Sequence, residues 1–338
     1  MGGTEKCMQY FLEYLHNTGY DCYCIHNRKK TDEAGGSREK LIQDILGDRK
    51  VLGYSSEDEF FDILKKMGPD IFHIHRSGYP NEFPIIPKLK SYVNKCVETN
   101  IFGGVDTSSV IDMTLYVNKH MLKTGRSLNR KIGYLFNPVK HPFHQKDLRL
   151  KLGISKSTFV MGRIGRSVDS IFDPISLRAL KVIEEETDYD LLYLVQSPPP
   201  IMIKIAQEMK LKKIQFLEVP IVTDKEITSF FNTIDILAHA RKDGEICPLN
   251  IQEAMIHGKP VISHRSRRAN GHKLFVKRCG FFARQDNYKQ YAKYIKILYT
   301  KKTKRMKLGE EGRKYAADNF LLENIGKKLE SYYKALLV

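Results

Sequence analysis

Residues 243–263 have the sequence DGEICPLNIQEAMIHGKPVIS, and this stretch decides which fold the chain adopts. Its middle part is spaced as a helix, and a short buried strand, 261–264, follows. Glu245 therefore lies in the loop before the helix, and Glu253 lies about one turn inside it. Because the first amides of a helix are unpaired and its dipole is positive there, this loop favours a phosphate. The spacing alone is also explained by two ordinary carboxylates at a helix start.

Short apolar segments alternate with helical segments on both sides of this stretch. Strands are predicted at residues 20–26, 50–54, 70–75, 92–99, 112–117, 158–164, 190–196, 214–217 and 234–239. Helices are predicted among them at residues 38–46, 56–67, 174–186 and 201–209, and two helices, 287–299 and 323–336, close the chain. Short buried strands that alternate with helices are typical of a parallel, doubly wound α/β sheet.

The chain begins with an amphipathic helix. Its apolar residues from Cys7 to Leu15 are spaced along one helix face. Thr4 is the expected N-cap, and Gly19 is expected to end the helix.

Two prolines and two histidines interrupt the alternation at residues 137–144, and we place an interdomain linker there. A length of 338 residues also favours two domains over one. The sequence thus predicts two Rossmann-like domains facing a cleft, with boundaries at 1–143 and 144–320. A C-terminal helix, 321–338, is expected to pack back towards the N-terminal domain.

The chain is strongly basic, with 56 Lys and Arg against 39 Asp and Glu and a net charge of +17. A Lys-rich solvated surface explains this excess as well as a polyanionic partner or a phosphorylated ligand does. The positive residues are scattered and form no stripe with aromatic residues, which argues against a specific nucleic-acid interface. The sequence has no apolar run of the ~20 residues that a transmembrane helix needs.

Cysteine usage indicates a reducing compartment. The six cysteines form no C-x-x-C pair and no cluster with zinc-ligand spacing. The residues before the first predicted helix do not have the pattern of a signal peptide, and a cytoplasmic location is therefore expected.

The stretch from Glu245 to Glu253 resembles the E-x7-E signature of retaining glycosyltransferases of family four, which have the GT-B fold. The continuation EAMIHGKPVI, 253–262, is similar to the family's pattern after the second glutamate. Further similar motifs occur in the family's order, namely GGTE at 2–5, DIFHIH at 70–75, NPV at 137–139, FVMGRIGR at 159–166 and DNF at 318–320. The resemblance covers most of the chain and implies the GT-B architecture for it.

The resemblance implies a role for each matching residue. Glu245 is expected to contact the donor sugar and to stabilise oxocarbenium-like charge, and Arg166 to bind the nucleotide diphosphate. Glu253 is expected to hold the donor ribose. The implied donor-binding set also contains Cys247, Leu249, Asn250, Gly165, Gly2 and Gly3, and the implied acceptor side contains His75 and Asn100.

The implied activity is retaining transfer of a sugar from a UDP- or GDP-sugar to a carbohydrate, lipid-linked or glycoprotein acceptor. The leaving phosphate is expected to take the acceptor's proton, so that no enzymic nucleophile, metal or cofactor is required. Weak peripheral membrane association is a further expectation. The alternatives are a degenerate GT-B protein that binds a nucleotide sugar without transferring it, and a sugar-nucleotide epimerase.

Three features depart from the family's pattern. Ile171 stands five residues after Arg166, where the family has a phosphate-binding lysine, and Arg267 or Arg268 is the expected substitute. Pro248, which has no N–H, replaces the family's glycine three residues after the first glutamate. The first strand of the N-terminal domain is expected to be missing, or another segment to fill its place.

Two other polar patterns are assigned structural roles. Asp188-Tyr-Asp190 precedes a predicted strand and is expected to form a turn. His141-x-x-His144 has no third ligand nearby in the sequence and is expected to be structural.

Overall fold

The computed structural model describes residues 3–29, 38–218 and 221–338, which fall into two compact units. The N-terminal unit consists of Met1–Pro138 together with Leu322–Val338, and the C-terminal unit of Val139–Leu321. Gly2, one of the predicted donor-side glycines, lies outside the described residues.

The N-terminal unit is built on parallel strands. In chain order its elements are α1 (Gly3–Asn17), β1 (Cys24–Asn27), α2 (Glu39–Leu46), β2 (Val51–Tyr54), α3 (Glu57–Met67), β3 (Ile71–Arg76), β4 (Lys95–Asn100), β5 (Met113–Tyr116) and β6 (Lys131–Tyr134). Strands β1 and β2 pair in parallel, and β3-β4-β5-β6 form a four-stranded sheet that is also parallel.

Helix ends in this unit follow local sequence signals in one case and depart from them in another. Ser56 caps α3 by accepting a hydrogen bond from the Glu59 amide at 3.2 Å, and Gly68 ends this helix in the left-handed region. The first helix already begins at Gly3, so the prediction that Thr4 is its N-cap is wrong. Gly19, at φ 92°, takes up the turn after this helix.

The C-terminal unit contains one large sheet and most of the helices. Its elements are β7 (Phe159–Ile164), α4 (Ile175–Glu186), β8 (Leu191–Gln196), α5 (Pro200–Glu208), β9 (Ile214–Leu217), α6 (Asp224–Thr233), β10 (Ile236–Ala238), β11 (Gly244–Glu245), α7 (Leu249–Ile256), β12 (Val261–His264), β13 (Ala269–Asn270), α8 (Lys273–Cys279), β14 (Gly280–Ala283), α9 (Tyr288–Thr300) and α10 (Lys302–Phe320). Six strands form a parallel sheet in the order β14-β12-β10-β7-β8-β9. The predicted α/β class with parallel sheets is confirmed.

The strand order of this sheet reverses between β7 and β10. From β7 the chain runs outward through β8 and β9, and it then returns to place β10 on the other side of β7. In open α/β sheets, ligands bind beyond the carboxyl ends of the strands at such a reversal. The residues that follow Ile164 and Ala238 therefore occupy the expected binding position of this unit.

The sequence predicted two closing helices, whereas the structure has three. The additional helix is α10, whose buried residues are Gly309, Gly312, Ala316 and Phe320. Its glycines allow the helix to pack closely against the backbone of Gly258. A Cβ on Gly309 would lie only 2.1 Å from the carbonyl oxygen of Gly258. A face made of glycine and alanine lacks the large apolar residues by which a helix is recognised in a sequence.

The last helix, α11 (Leu322–Leu337), belongs to the N-terminal unit. The hydroxyl of Tyr333 hydrogen-bonds Nδ1 of His73 in β3 at 2.5 Å, and the hydroxyl of Tyr332 donates to the carbonyl oxygen of Tyr134 at 3.2 Å. Gly326 lies against the ring of Tyr14 at a distance that leaves no room for a Cβ. These contacts fix α11 on the first helix and on the four-stranded sheet.

Replacing Gly309 with Ala should destabilise the protein. Helix propensity by itself favours alanine by about 1 kcal/mol. The added Cβ would, however, overlap the Gly258 carbonyl oxygen, and overpacking of this kind costs ~1–3 kcal/mol. Urea unfolding of the variant measures the balance, with Lys307→Ala on the exposed side of the same helix as control. A Gly309→Ala protein more stable than the wild type would contradict this packing.

Candidate active site

The candidate site lies at the reversal in strand order of the C-terminal unit. Arg163 is the penultimate residue of β7, and His239 directly follows β10. Because β7 and β10 are paired neighbours, these two residues leave the sheet at the same edge. Glu245 comes six residues after His239, and its carboxylate forms a hydrogen bond with that histidine.

The backbone at Glu245 is held by a second, short strand pair. Gly244 and Glu245 form β11, which pairs in parallel with β13. Gly244 has φ 68°, and a Cβ there would lie 1.8 Å from the carbonyl oxygen of Ala269, so only glycine fits. The carbonyl oxygen of Glu245 accepts the His272 amide hydrogen at 3.1 Å. The loop that carries Glu245 is therefore fixed before any ligand binds.

Both carboxylate oxygens of Glu245 have donors. Oε2 lies 2.9 Å from Nε2 of His239, and Oε1 accepts from Nη1 of Arg241 at 2.6 Å. The other side of the same guanidinium chelates Asp243, at 2.6 Å through Nε and 3.0 Å through Nη2. The Glu245 side chain remains 20% exposed, which leaves it accessible to a ligand.

These contacts set the charge of Glu245. Burial alone raises the pKa of its carboxyl group, but the hydrogen bond from His239 and the positive charge of Arg241 oppose burial and hold the pKa below its ordinary value. Glu245 is therefore a fixed anion at neutral pH. An ionised carboxylate is an acceptor and has no proton to donate.

Arg163 is a buried cation whose hydrogen-bonding capacity is largely unused. The residue is 6% exposed, and Nη2 donates to the carbonyl oxygen of Arg166 at 3.5 Å. Nη1 has no hydrogen-bond partner among the residues that the structure describes. Burial lowers the pKa of Arg163, and Arg241 lowers it further, whereas Tyr193 and Glu245 raise it. Arg163 therefore lies within electrostatic reach of Glu245, and it forms no ion pair with the residues that the structure describes.

The resemblance implies Arg166 as the diphosphate ligand, which stays a prediction, and the structure adds Arg163 as a second candidate. Arg166 lies in the exposed loop after β7. The stretch 159–166 contains two Gly-Arg pairs, Gly162-Arg163 and Gly165-Arg166, and the resemblance assigns the phosphate role to the second. The position of Arg163 near the carboxyl end of the predicted strand is the available signal, because ligands bind beyond the carboxyl ends of parallel strands.

Helix α7 begins beside the end of β7. Nδ2 of Asn250 donates to the carbonyl oxygen of Ile164 at 3.0 Å, and its buried Oδ1 has no partner among the described residues. Pro248 is the N-cap residue, so the first amide of the helix belongs to Leu249. Glu253 lies one turn further on and is 8% exposed. The helix start thus combines free amides with a side-chain acceptor.

The other residues that were predicted on the donor side have different surroundings. Cys247 is buried, and its Sγ lies 3.6 Å from Oε1 of Gln252. A Cβ on Gly165 would lie 3.8 Å from Nη2 of Arg163, which is an ordinary contact. Arg267 is exposed and lies 3.9 Å from Asp286, and Arg268 is also exposed. Whether either arginine replaces the lysine missing at Ile171 stays a prediction.

The other predicted residues belong to the N-terminal unit. Gly3 is the exposed first residue of α1. His75 stacks on His73, with ring centroids 4.4 Å apart, and burial lowers its pKa to about 4. The side chain of Asn100 accepts from the Gly103 amide at 2.7 Å and donates to the Gly104 carbonyl at 2.8 Å. Asn100 therefore fixes the loop after β4, and we expect any effect of Asn100 on an acceptor to depend on the position of that loop.

The two patterns assigned structural roles have ordinary protein partners. The Asp190 carboxylate accepts from the hydroxyls of Ser157 and Thr158, both at 3.2 Å, at the amino ends of β7 and β8. The carbonyl oxygen of His144 accepts from Asn232 at 2.8 Å. Within the described ranges, no three His, Cys, Asp or Glu residues are grouped closely enough to hold a metal ion.

Residues 202–315 match the family model described as glycosyl transferases group 1. The matched segment includes both Glu245 and Glu253. Among curated proteins, no sequence matches the chain.

Solved structures are similar over almost the whole chain. The Anabaena protein HepE, in complex with UDP and glucose, has a TM-score of 0.74 and 13% identity, covering 99% of this chain and 96% of its own. A glycosyltransferase from Rickettsia africae has a TM-score of 0.72 and 18% identity, covering 99% of this chain and 95% of its own. WaaG, a glycosyltransferase involved in lipopolysaccharide biosynthesis, has a TM-score of 0.61 and 13% identity, covering 97% of this chain and 95% of its own. These similarities confirm the GT-B fold that the resemblance implied.

The described helices include none that is both long and apolar enough to cross a membrane.

Replacing Arg241 with Gln should raise the pKa of Glu245. The substitution removes a positive charge and weakens the donor to Oε1, while burial, which opposes ionisation, remains. Since the pKa of Glu245 is lowered in the folded protein, its ionised form stabilises the fold at neutral pH, and this contribution is lost as the pH falls through that pKa. Carbon-13 NMR titration of labelled glutamate carboxyls measures the shift directly.

The matched control is Arg267→Gln, which removes an exposed arginine that lies 3.9 Å from Asp286. It should leave the Glu245 titration unchanged. An unchanged pKa of Glu245 in Arg241→Gln would show that the guanidinium does not set its charge.

Proposed function

We propose that the chain is a metal-independent, retaining glycosyltransferase that moves a sugar from a nucleoside-diphosphate sugar to a glycan or glycoconjugate acceptor in the cytoplasm. The observation that carries this proposal is that a fixed anion, Glu245, and a buried cation, Arg163, whose Nη1 has no partner among the described residues, lie at the same ligand edge of the C-terminal sheet. A nucleotide sugar needs both charges at its reacting end.

Arg163 is the proposed ligand of the diphosphate. Holding a cation in the interior is costly unless an anion pairs with it. A diphosphate oxygen supplies that charge, and a guanidinium binds phosphate with two parallel hydrogen bonds. Cleavage of the sugar–phosphate bond increases the negative charge on the leaving group, so Arg163 binds the transition state more tightly than the ground state. A cation in this position performs the task that a metal ion performs in other transferases.

Glu245 is the proposed stabiliser of the sugar. As the bond to the leaving phosphate breaks, positive charge develops on the ring, and a fixed carboxylate stabilises it. A carboxylate has about four acceptor positions. His239 and Arg241 occupy two, so two remain for donor hydroxyls. In the proposed same-face reaction, the acceptor hydroxyl attacks the anomeric carbon and its proton passes to the leaving diphosphate.

The start of α7 is the proposed site for the rest of the nucleotide. The amides of Leu249 and Asn250 are in the first turn, where a phosphate is favoured by free N–H groups and by the helix dipole. Glu253 is the proposed acceptor for the ribose hydroxyls. Cys247, Gly165 and Gly3 are the remaining described residues of the proposed donor side.

The comparisons support a uridine nucleotide as the first donor to test. HepE, which is similar over nearly its full length, was crystallised with UDP and glucose. A GDP-sugar remains the alternative within the proposal. The proposed acceptor side is the N-terminal unit near His75 and the loop held by Asn100.

One observation favours a second candidate function, which is nucleotide-sugar binding without transfer. Pro248 stands at the N-cap of α7 and has no N–H, so a ligand there meets one amide fewer than a glycine would offer. Retained UDP binding without any sugar release would favour this function over catalysis.

The proposed function is tested by nucleotide binding and by slow hydrolysis of UDP-glucose and GDP-sugars. A nucleotide at 100 times its Kd should raise the free energy of unfolding by about 2.7 kcal/mol. Arg163→Gln should abolish most of this response, because it removes the proposed diphosphate ligand, whereas Arg166→Gln should retain it. Thermal denaturation with and without UDP gives the comparison.

If Arg166→Gln loses the response and Arg163→Gln keeps it, the diphosphate ligand is Arg166, as the family resemblance implied. If neither UDP nor GDP stabilises the wild-type protein, the proposed function is wrong.

A further inference from the structure

We propose that Ser263 and His239 are positioning residues for Glu245, forming a relay that fixes the orientation of its carboxylate towards the donor sugar. The proposal rests on the proposed function. It adds two residues, Ser263 and His239, that lie outside the resembling motifs. Both act through Glu245 and do not touch the substrate.

The relay is a continuous chain of two hydrogen bonds. Oγ of Ser263, in β12, lies 2.9 Å from Nδ1 of His239, and Nε2 of His239 lies 2.9 Å from Oε2 of Glu245. Ser263 is fully buried and the His239 side chain is 4% exposed, whereas that of Glu245 is 20% exposed. A ligand therefore reaches Glu245, and the other two residues act through it.

The chemistry of Glu245 selects one tautomer of His239. Because the carboxylate is ionised, it only accepts, and Nε2 must carry the proton that it accepts. In the neutral ring, Nδ1 is then an acceptor, and the Ser263 hydroxyl donates to it. Removing this hydroxyl removes the partner that favours this tautomer over the one in which Nε2 turns a lone pair towards Glu245.

The neighbouring histidines do not compete for Glu245. The His272 ring lies 5.3 Å from that of His239, and its nitrogens face the carbonyl oxygens of Glu245 and His264, at 3.0 and 3.2 Å. His264 donates from Nδ1 to the Arg265 carbonyl at 3.0 Å and accepts the Arg241 amide at 3.2 Å through Nε2. Each of these two rings is thus tied to the backbone.

The titratable groups around the relay leave the carboxylate of Glu245 in one orientation. Burial lowers the pKa of His272 to about 4 and also lowers that of His264, so both rings are neutral at neutral pH. Arg241, held by Asp243, supplies the second donor to Glu245 from the opposite side of the carboxylate. With one donor on each oxygen, the carboxylate plane cannot rotate without breaking one of these two hydrogen bonds.

Two substitutions of His239 separate positioning from packing. Glutamine places its amide nitrogen near the position of Nε2 and can still donate to Glu245, whereas asparagine reaches only the position of Nδ1. We expect His239→Asn to lower kcat for UDP-glucose hydrolysis about 10²-fold, because a misplacement of ~1 Å costs that much. His239→Gln should lose less than tenfold, and both should bind UDP as the wild type does.

Ser263 offers a matched pair of its own. Ser263→Ala should lower kcat, and Ser263→Thr, which keeps a hydroxyl, should restore most of it. Equal losses in His239→Asn and His239→Gln, or kcat unchanged in His239→Asn, would overturn the proposal.

A second measurement does not depend on turnover. Long-range nitrogen–proton correlation spectra of ¹⁵N-histidine-labelled protein should show His239 protonated on Nε2, with an Nδ1-protonated population appearing in Ser263→Ala. Protonation of His239 on Nδ1 in the wild type would overturn the proposed relay, whatever rate of hydrolysis is measured. If the tautomer is as expected and the wild type hydrolyses no nucleotide sugar, the relay stands as a structural feature, and the proposed function fails.

Discussion

The carboxylate of Glu245, held between a guanidinium and an imidazole, is the interaction on which the rest of the C-terminal site depends. Two donors, at 2.6 and 2.9 Å, hold its pKa below the ordinary value although burial raises it. The left-handed Gly244 and the β11–β13 pair fix the backbone beneath it. The site is therefore organised before a ligand arrives, and preorganised charge is the largest single contribution to many enzymatic rates.

The sheet explains why these groups meet. His239 follows β10, Ser263 lies in β12 and Arg163 lies near the end of β7, three strands that are neighbours in the order β12-β10-β7. Parallel strands bring their carboxyl ends to one edge, and residues that are far apart in the sequence come within hydrogen-bonding distance there. The same edge receives the start of α7, through the contact of Asn250 with Ile164. One topological feature, the reversal between β7 and β10, thus gathers the cation, the anion and the free helix amides.

Much of this organisation is predictable from the sequence, because the strands are short apolar runs and the E-x7-E stretch has a characteristic pattern. The helix α10 was missed because its buried face consists of Gly309, Gly312 and Ala316 with a single phenylalanine, and close backbone packing leaves no hydrophobic periodicity. The relay was missed for a different reason. A histidine and a serine at strand ends have no distinctive spacing, and only the pairing of strands shows that Ser263 and Glu245 share His239.

The central claim is that Glu245 stabilises the departing sugar, and single-turnover cleavage of UDP-glucose by Glu245→Gln tests it most directly. The amide keeps the size of the carboxylate and removes its charge. The account predicts a rate lower by ~10²–10³-fold, the loss typical of one preorganised electrostatic group, with UDP affinity retained. A Glu245→Gln protein that cleaves UDP-glucose as fast as the wild type would contradict the account.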